Sequence, residues 1–325
     1  MKILIVRVSS LGDVVHNMPM VADIRRHFPA AQIDWVVEEA YTSLVRLNPH
    51  VHTVIPIALR RWRKTLFSAA TRAEIAAFRR QLQAERYDVV FDTQGLLKTS
   101  VVMRMARLAD HGRRVGLANA TEGSGYEPLS RIFHDQSIAV GRRTHAVMRA
   151  RLVAAGALGY QVEGEPDFAL QAPQPARWPW MPETPYAVFF HGTARAAKQW
   201  PPAQWIRLGQ DLAARGLPVL LPWGSTREQA AAQQLAEGIP GAVVLPALPL
   251  MQAVSLVQQA RLVVGLDTGL THIAAAYGKP TVELYCDSPR WKTEGNWSPH
   301  IVNLGDLGAP PAEEAVLSAA LGLLD

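Results

Sequence analysis

Lys2-Ile3-Leu4-Ile5-Val6-Arg7-Val8-Ser9-Ser10-Leu11-Gly12-Asp13-Val14-Val15 stands at the start of the chain and sets its architecture. Lys2 to Val8 is a short apolar run rich in β-branched residues, the composition of a buried parallel strand. Ser9-Ser10 interrupts it, Gly12 permits a tight turn, and Val14, Val15 and Met18 begin a helical repeat. A strand that turns directly into a helix is the opening of a βαβ unit. The alternation recurs downstream. Strands are predicted at Ile33 to Val37, Thr53 to Ile57 and Val89 to Asp92, and Ile75, Phe78 and Leu82 mark a helix with one buried stripe.

Between Gly164 and Pro185 the pattern stops. Pro166, Pro173, Pro175, Pro179, Pro182 and Pro185 crowd a stretch that cannot sustain a helix, and proline nitrogens cannot donate to a sheet. Residues 165–185 therefore read as a linker between an N-terminal domain over 1–164 and a C-terminal domain over 186–325. Tyr186 to Phe190 restarts the alternation. Further strands are predicted at Pro218 to Leu221, Ala242 to Leu245, Leu262 to Leu266 and Thr281 to Tyr285. Trp205, Leu208 and Leu212 mark one intervening helix, Leu250, Val254 and Val257 another, and Pro311 to Asp325 reads as a closing helix. A chain of 325 residues fits two domains, since one core rarely grows past roughly 250 residues. The expected class is α/β, with two Rossmann-like doubly wound domains. Such sheets bind ligands at the carboxyl ends of their strands, so the two are expected to face a central cleft.

Hydrophobic content of 49% and charged content of 19% describe a globular chain with ample core. A net charge of +5 and a pI near 9.5 favour anionic partners: nucleotides, nucleic acid, phosphorylated glycolipid or a membrane surface. Cys286 is the only cysteine, which excludes an intrachain disulfide and a cysteine-rich zinc site. Ile3 to Val6 is too short for a signal-peptide core, and no apolar run approaches the ~20 residues of a membrane helix. A cytoplasmic protein is expected, with membrane contact at most peripheral.

Chemistry should sit on the strand-exit loops. Asp13 falls in the first helical turn, where it either complements the helix dipole for roughly 0.3–1 kcal/mol or serves as a general base. Leu262 to Leu266 runs into Asp267-Thr268-Gly269-Leu270-Thr271-His272. There Gly269 admits close approach and the free N–H groups of a helix start suit a diphosphate. The alternative is an ordinary turn with Asp267 as N-cap. His191 to Pro201 carries Thr193, Arg195 and Lys198; the lysine either neutralises a departing diphosphate or is a solvated cation. Glu228, after Leu221-Pro222-Trp223-Gly224, could accept from a ribose diol. Arg60-Arg61-Trp62-Arg63-Lys64 places four cations around one aromatic residue and points to a polyanion. Anionic lipid fits it, as does single-stranded nucleic acid stacked on Trp62. No P-loop is present, and Gly123-Ser124-Gly125 follows no predicted strand. No Asp-x-Asp pair occurs to hold a metal on a sugar diphosphate. Leaving-group charge must then be met by helix dipole, hydroxyls and cations, so metal-independent chemistry without a cofactor is expected.

These stretches resemble the bacterial heptosyltransferases of the lipopolysaccharide inner core. The resemblance rests on Met1 to His16, Pro56 to Lys64, Asp92-Thr93-Gln94-Gly95-Leu96-Leu97-Lys98, His191 to Pro201, Leu221 to Gly224 and Asp267 to His272. The motifs keep their order over nearly the whole chain. The basic block and Asp-Thr-Gly-Leu-x-His resemble the enzymes that add the first heptose. The resemblance implies a GT-B fold and an inverting transfer from ADP-L-glycero-D-manno-heptose to the first Kdo of Kdo-lipid A, at the cytoplasmic face of an anionic inner membrane. It makes Asp13 the base. It puts Thr193 and Lys198 on the donor diphosphate, Glu228 on ribose, Leu248 at adenine, and Asp267, Thr268, Gly269 and His272 in the donor loop. Ala194, also in the donor region, stands where relatives carry a second threonine. Arg60, Arg61, Arg63, Lys64 and Lys98 would face the acidic acceptor. Cys286 to Arg290 departs from the family pattern, and no role is carried onto it. Two competing readings are a non-catalytic basic protein on nucleic acid or anionic lipid, and a related transferase with another donor or acceptor. The resemblance itself implies no nucleic-acid partner.

Overall fold

The computed structural model describes residues 1–174 and 176–325; Pro175, counted above with the linker prolines, lies outside them. The chain forms two compact units, Met1–Gln171 and Ala172–Asp325, and the division falls within the proline-rich stretch.

The first unit is built on β1 (Lys2–Val6), β2 (Gln32–Glu38), β3 (Thr53–Ile57), β4 (Arg86–Asp92), β5 (Arg107–Leu117) and β6 (Gln136–Ile138). Their spatial order is β3-β2-β1-β4-β5-β6, and every pairing is parallel. The second contains β7 (Ala187–Phe190), β8 (Val219–Leu221), β9 (Val243–Val244), β10 (Leu262–Leu266), β11 (Thr281–Tyr285) and β12 (Ile301–Gly305). It runs β12-β11-β10-β7-β8-β9, again all parallel. In each sheet the chain order reverses beside the first strand. That crevice is where doubly wound sheets bind ligands.

Ile3 to Val6 have no exposed surface, as expected of a strand covered on both faces. β1 ends two residues earlier than its apolar run, because Arg7 and Val8 already turn toward the loop after β4. The Arg7 guanidinium donates to the Thr93 carbonyl at 2.5 Å and the Val8 N–H to Gln94 Oε1 at 3.1 Å. Strands β5, β6 and β12 were not anticipated. β5 is charged through its first half and buried only from Arg114 onward, while β6 and β12 lie at sheet edges and alternate poorly. Periodicity reports burial, and these segments are only partly buried. Gly123 to Gly125 follows β5 after all, but it leads into a 3-10 turn at Pro128–Phe133 and has no α-helix start to offer a phosphate.

Two packing features position loops. Helices Met18–His27 and Ala146–Leu158 are joined by a buried bidentate pair, Arg151 to Asp23, at 2.7 and 3.1 Å. In the second unit Trp200 packs edge-on against Trp205, with ring centroids 5.2 Å apart, and its Nε1 donates to the Pro311 carbonyl at 3.0 Å. Trp200 thus pins the end of the loop that carries Lys198.

Candidate active site

At the carboxyl edge of the second sheet, the loops after β10, β7, β8 and β9 lie side by side because those strands are neighbours. Together they carry Asp267, Lys198, Glu228 and Leu248. Asp267 is the hub. Its Oδ2 accepts from Lys198 Nζ at 2.6 Å and Ser288 Oγ at 2.8 Å, and its Oδ1 from His272 Nε2 at 3.1 Å and Thr293 Oγ1 at 3.2 Å. Burial alone would raise this carboxyl. Hydrogen bonds and charge from His272 and Lys198 outweigh it and hold Asp267 far below the usual carboxylate range. The helix Gly269–Ala276 begins immediately afterwards, and Thr268, not Asp267, occupies the N-cap position. Asp267 is thereby freed from capping and available to position cations.

Glu228 sits in the first turn of the helix Thr226–Gly238, where its carboxylate accepts from the Gly224 N–H at 2.7 Å. Gly192 makes room for it: a Cβ there would lie 2.7 to 2.9 Å from the Glu228 side chain. The bare backbone after β7 and the acid after β8 are therefore fitted to each other. Thr193 is half-buried, Ala194 exposed and Leu248 half-buried in the loop before the helix Leu250–Gln259.

In the first unit the loops after β1, β3 and β4 also share the carboxyl edge of their sheet. Asp13 is the third residue of the helix Leu11–His16, and its Oδ2 accepts from the Ser10 N–H at 3.0 Å and Ser10 Oγ at 2.9 Å. Its Oδ1 lies 2.5 Å from the Arg7 guanidinium and 4.0 Å from that of Arg149. The side chain is still 36% exposed, so a hydroxyl can reach it. Burial opposes its ionisation; Arg7, the Ser10 amide and Arg149 prevail and keep the carboxyl well below the ordinary range. Asp13 thus caps its helix and also remains an ionised acceptor. Of the two roles left open by its position, these contacts fill that of complementing the helix start.

The basic block does not act as one unit. Trp62 is buried, donates to Glu74 Oε2 at 2.6 Å and packs edge-on against Phe78. It therefore cannot stack on a base, which removes the structural ground for single-stranded nucleic acid. Arg61 is held between Glu39 at 3.0 Å and Glu74 at 2.7 Å, so much of its charge is neutralised within the protein. This weakens its assignment to the acceptor. Arg60 lies over the Tyr41 ring at 5.7 Å, and Arg63, Lys64 and Lys98 are exposed. The turn that presents Lys98 is closed by Asp92, which is fully buried and accepts from the Gln94 and Gly95 N–H groups and from Thr99 and Ser100. Gly95, at φ +71°, is the residue that can adopt this turn.

The sequence profile of glycosyltransferase family 9 (heptosyltransferase) matches residues 75–318. The chain belongs to that family. It is 40% identical over 286 residues to lipopolysaccharide heptosyltransferase 1 of Salmonella typhimurium, a match covering 88% of each protein. Its fold is similar to that of the E. coli heptosyltransferase WaaC solved with ADP, with a TM-score of 0.85, 34% identity, and coverage of 99% of this chain and 100% of that one. The structure of WaaC with ADP-2-deoxy-2-fluoro heptose is similar as well, with a TM-score of 0.80, 34% identity, and coverage of 100% and 99%. The two parallel six-stranded sheets are thus those of a GT-B glycosyltransferase.

Several groups at the carboxyl edges of the two sheets were not legible in the sequence. Arg7 and Arg149 converge on Asp13 from positions 142 residues apart in the chain. Ser288 and Thr293 converge on Asp267, and Arg195 reaches the Asp287 carbonyl at 2.8 Å, so the segment from Cys286 to Arg290 braces the loop after β10. Glu283 lies fully buried behind His272. A glutamate in the middle of an apolar strand was the one available signal for it, since buried acids need partners.

Proposed function

We propose that this glycosyltransferase moves L-glycero-D-manno-heptose from ADP-L-glycero-D-manno-heptose to the first Kdo of Kdo-lipid A, inverting the anomeric carbon. The observation that carries the reading is the Lys198–Asp267 pair at 2.6 Å beside the start of the helix at Gly269. An ammonium and a set of helix N–H groups stand together where a diphosphate would depart. The likeness to lipopolysaccharide heptosyltransferase 1 and to WaaC with ADP and an ADP-heptose analogue supports the choice of donor.

In this reading Glu228 accepts from the ribose hydroxyls and Leu248 meets adenine through its backbone. Thr193, the Thr268 hydroxyl, the Gly269 turn and Lys198 receive the diphosphate, with Asp267 and His272 ordering them. As the bond from the anomeric carbon to the diphosphate oxygen breaks, its electron pair leaves with ADP and the carbon gains oxocarbenium character. The Kdo hydroxyl oxygen attacks the opposite face, and its proton passes to Asp13. Arg60, Arg63, Lys64 and Lys98 engage the acceptor's acidic groups, with Arg61 contributing less. A panel of donors (ADP-heptose, UDP-sugars) against acceptors (Kdo-lipid A, truncated lipids) tests the assignment. Turnover with UDP-sugars alone, or none on Kdo-lipid A, would overturn it.

Because Lys198 and the helix start meet the leaving-group charge, the reaction is expected to proceed without a divalent metal. Initial rates should be unchanged in excess EDTA. A rate abolished by EDTA and restored by Mg²⁺ would refute this.

The acceptor's lipid also bears on location. Among the described residues no helix is long and apolar enough to cross a membrane. One residue after Arg63-Lys64, however, Leu66 and Phe67 project, with Phe67 88% exposed. Cations followed by exposed apolar side chains suit peripheral contact with an anionic bilayer, here the cytoplasmic face of the inner membrane. Leu66→Ser with Phe67→Ser is expected to weaken co-sedimentation with phosphatidylglycerol vesicles by about tenfold, since even partial burial of these groups contributes over ~1 kcal/mol. Unaltered co-sedimentation would remove this loop from the contact.

A further inference from the structure

We propose that Glu283 is a positioning residue for the donor loop: it faces one ring nitrogen of His272 while Asp267 faces the other, which holds the ring as an imidazolium and leaves the charge of Lys198 available to the diphosphate. His272 Nε2 lies 3.1 Å from Asp267 Oδ1, and Nδ1 lies 3.2 Å from Glu283 Oε1. An ionised carboxylate only accepts, and a neutral imidazole carries one N–H and one lone pair. Carboxylates at both nitrogens therefore fit the doubly protonated ring alone. Burial works against that charge, but hydrogen bonds and charge from Asp267 and Glu283 outweigh it and raise the ring to about 10.

Glu283 is itself fixed in place. It is fully buried on β11, and its Oε2 accepts from the Tyr285 hydroxyl at 3.0 Å and the Gly295 N–H at 2.9 Å. Burial and the neighbouring Glu283 keep the Tyr285 hydroxyl protonated, so it stays a donor. Lys198 joins the cluster through Asp267, beside the Tyr285 hydroxyl; the helix Leu250–Gln259, packed on the His272 helix, brings no ionisable group. The two carboxylates sit at different ring nitrogens and do not converge on a common point, and among the described residues no three His, Cys, Asp or Glu side chains are grouped to hold a metal ion.

The consequence is electrostatic. With His272 charged, Asp267 has two cationic partners, and Lys198 is not its sole counter-ion. With His272 neutral, Lys198 alone would balance Asp267, and its pull on a departing diphosphate would be largely cancelled. The negative charge of Glu283 lies across the ring from Asp267. It therefore supports the cation without facing the donor turn.

This inference rests on the Gly269 turn holding the donor diphosphate, and the test separates the two. Protein with ¹⁵N-labelled histidine, assigned with His272→Gln, is titrated from about pH 6 to about 9.5 as wild type and as Glu283→Gln, and the ADP dissociation constant is measured across the same range. The wild-type ring should keep both nitrogens protonated throughout. In Glu283→Gln the amide can donate to Nδ1, so the ring should lose its proton within the range. The ratio of variant to wild-type dissociation constants should then rise about tenfold over the same interval, the effect of roughly one pKa unit of differential interaction. Taking the ratio cancels the titration of ADP itself. A purely structural Glu283 would lower stability without tying that ratio to pH. A bare ring nitrogen in the wild type at neutral pH overturns the proposal, as does a variant ring that stays doubly protonated or a ratio flat with pH. If Glu283→Gln fails to fold, the wild-type ring decides. If the wild type binds no ADP, the donor reading fails, and the ring titration still judges the link between Glu283 and His272.

Discussion

Asp13→Ala is expected to lower turnover by ~10²–10⁴-fold, the usual contribution of a positioned base, while ADP affinity stays near that of the wild type. The affinity is spared because the groups proposed to hold the donor lie in the other unit, on the loops after β7, β8, β9 and β10. Asp13 also caps its helix through Ser10, so part of any loss could come from a loosened loop. Asp13→Asn separates the effects. Asparagine can still accept from the Ser10 N–H, yet it cannot take a proton at neutral pH. If the base role is correct, Asp13→Asn should be nearly as inactive as Asp13→Ala, with some loss of melting temperature because its amide NH2 replaces the oxygen that faces the buried Arg7 guanidinium. The pH profile supplies a second check with a definite sign. Arg7, the Ser10 amide and Arg149 depress the Asp13 carboxyl, so it remains ionised well into acid. The acid limb of kcat/KM from this group should therefore lie below the ordinary carboxylate range near pH 4. An Asp13→Ala enzyme with normal turnover would exclude it from the reaction.

Lys198→Ala should lower kcat by roughly 10²–10³-fold and also raise the donor KM, because in the proposed mechanism the ammonium meets charge that is present on the bound diphosphate and grows as ADP leaves. Stability should change little. Asp267 would keep His272, Ser288 and Thr293 as donors, so no carboxylate is stranded. Lys198→Arg should restore only part of the loss, since a planar guanidinium does not replace a compact ammonium in a pocket where Asp267 is only 13% exposed. The split between the two constants is diagnostic. A raised KM with unchanged kcat would mean that Lys198 binds donor and transition state equally, and wild-type values for both would make it a surface cation.

How far the sequence could be read depended on the range of the interaction involved. Buried parallel strands, the proline-rich divide, the turn at Gly269 and the exposed cations all express themselves within a few residues, through periodicity, forbidden backbone hydrogen bonds and helix-start geometry. These settled the α/β class and which loops to inspect. Edge strands β6 and β12 escaped because half-buried segments carry no clear period.

Contacts between distant residues were decided only by the tertiary fold. Sequence marked Asp13, Lys198, Asp267 and His272 as candidates but could not say that Arg7 and Arg149 charge the first, or that Glu283 stands behind the last. It grouped Arg61 and Trp62 with their basic neighbours, whereas folding turned one toward Glu39 and Glu74 and the other into the core. Local propensity acts along the chain, but a charge responds to whatever is a few ångströms away, and in a doubly wound sheet that neighbour comes from another strand's loop.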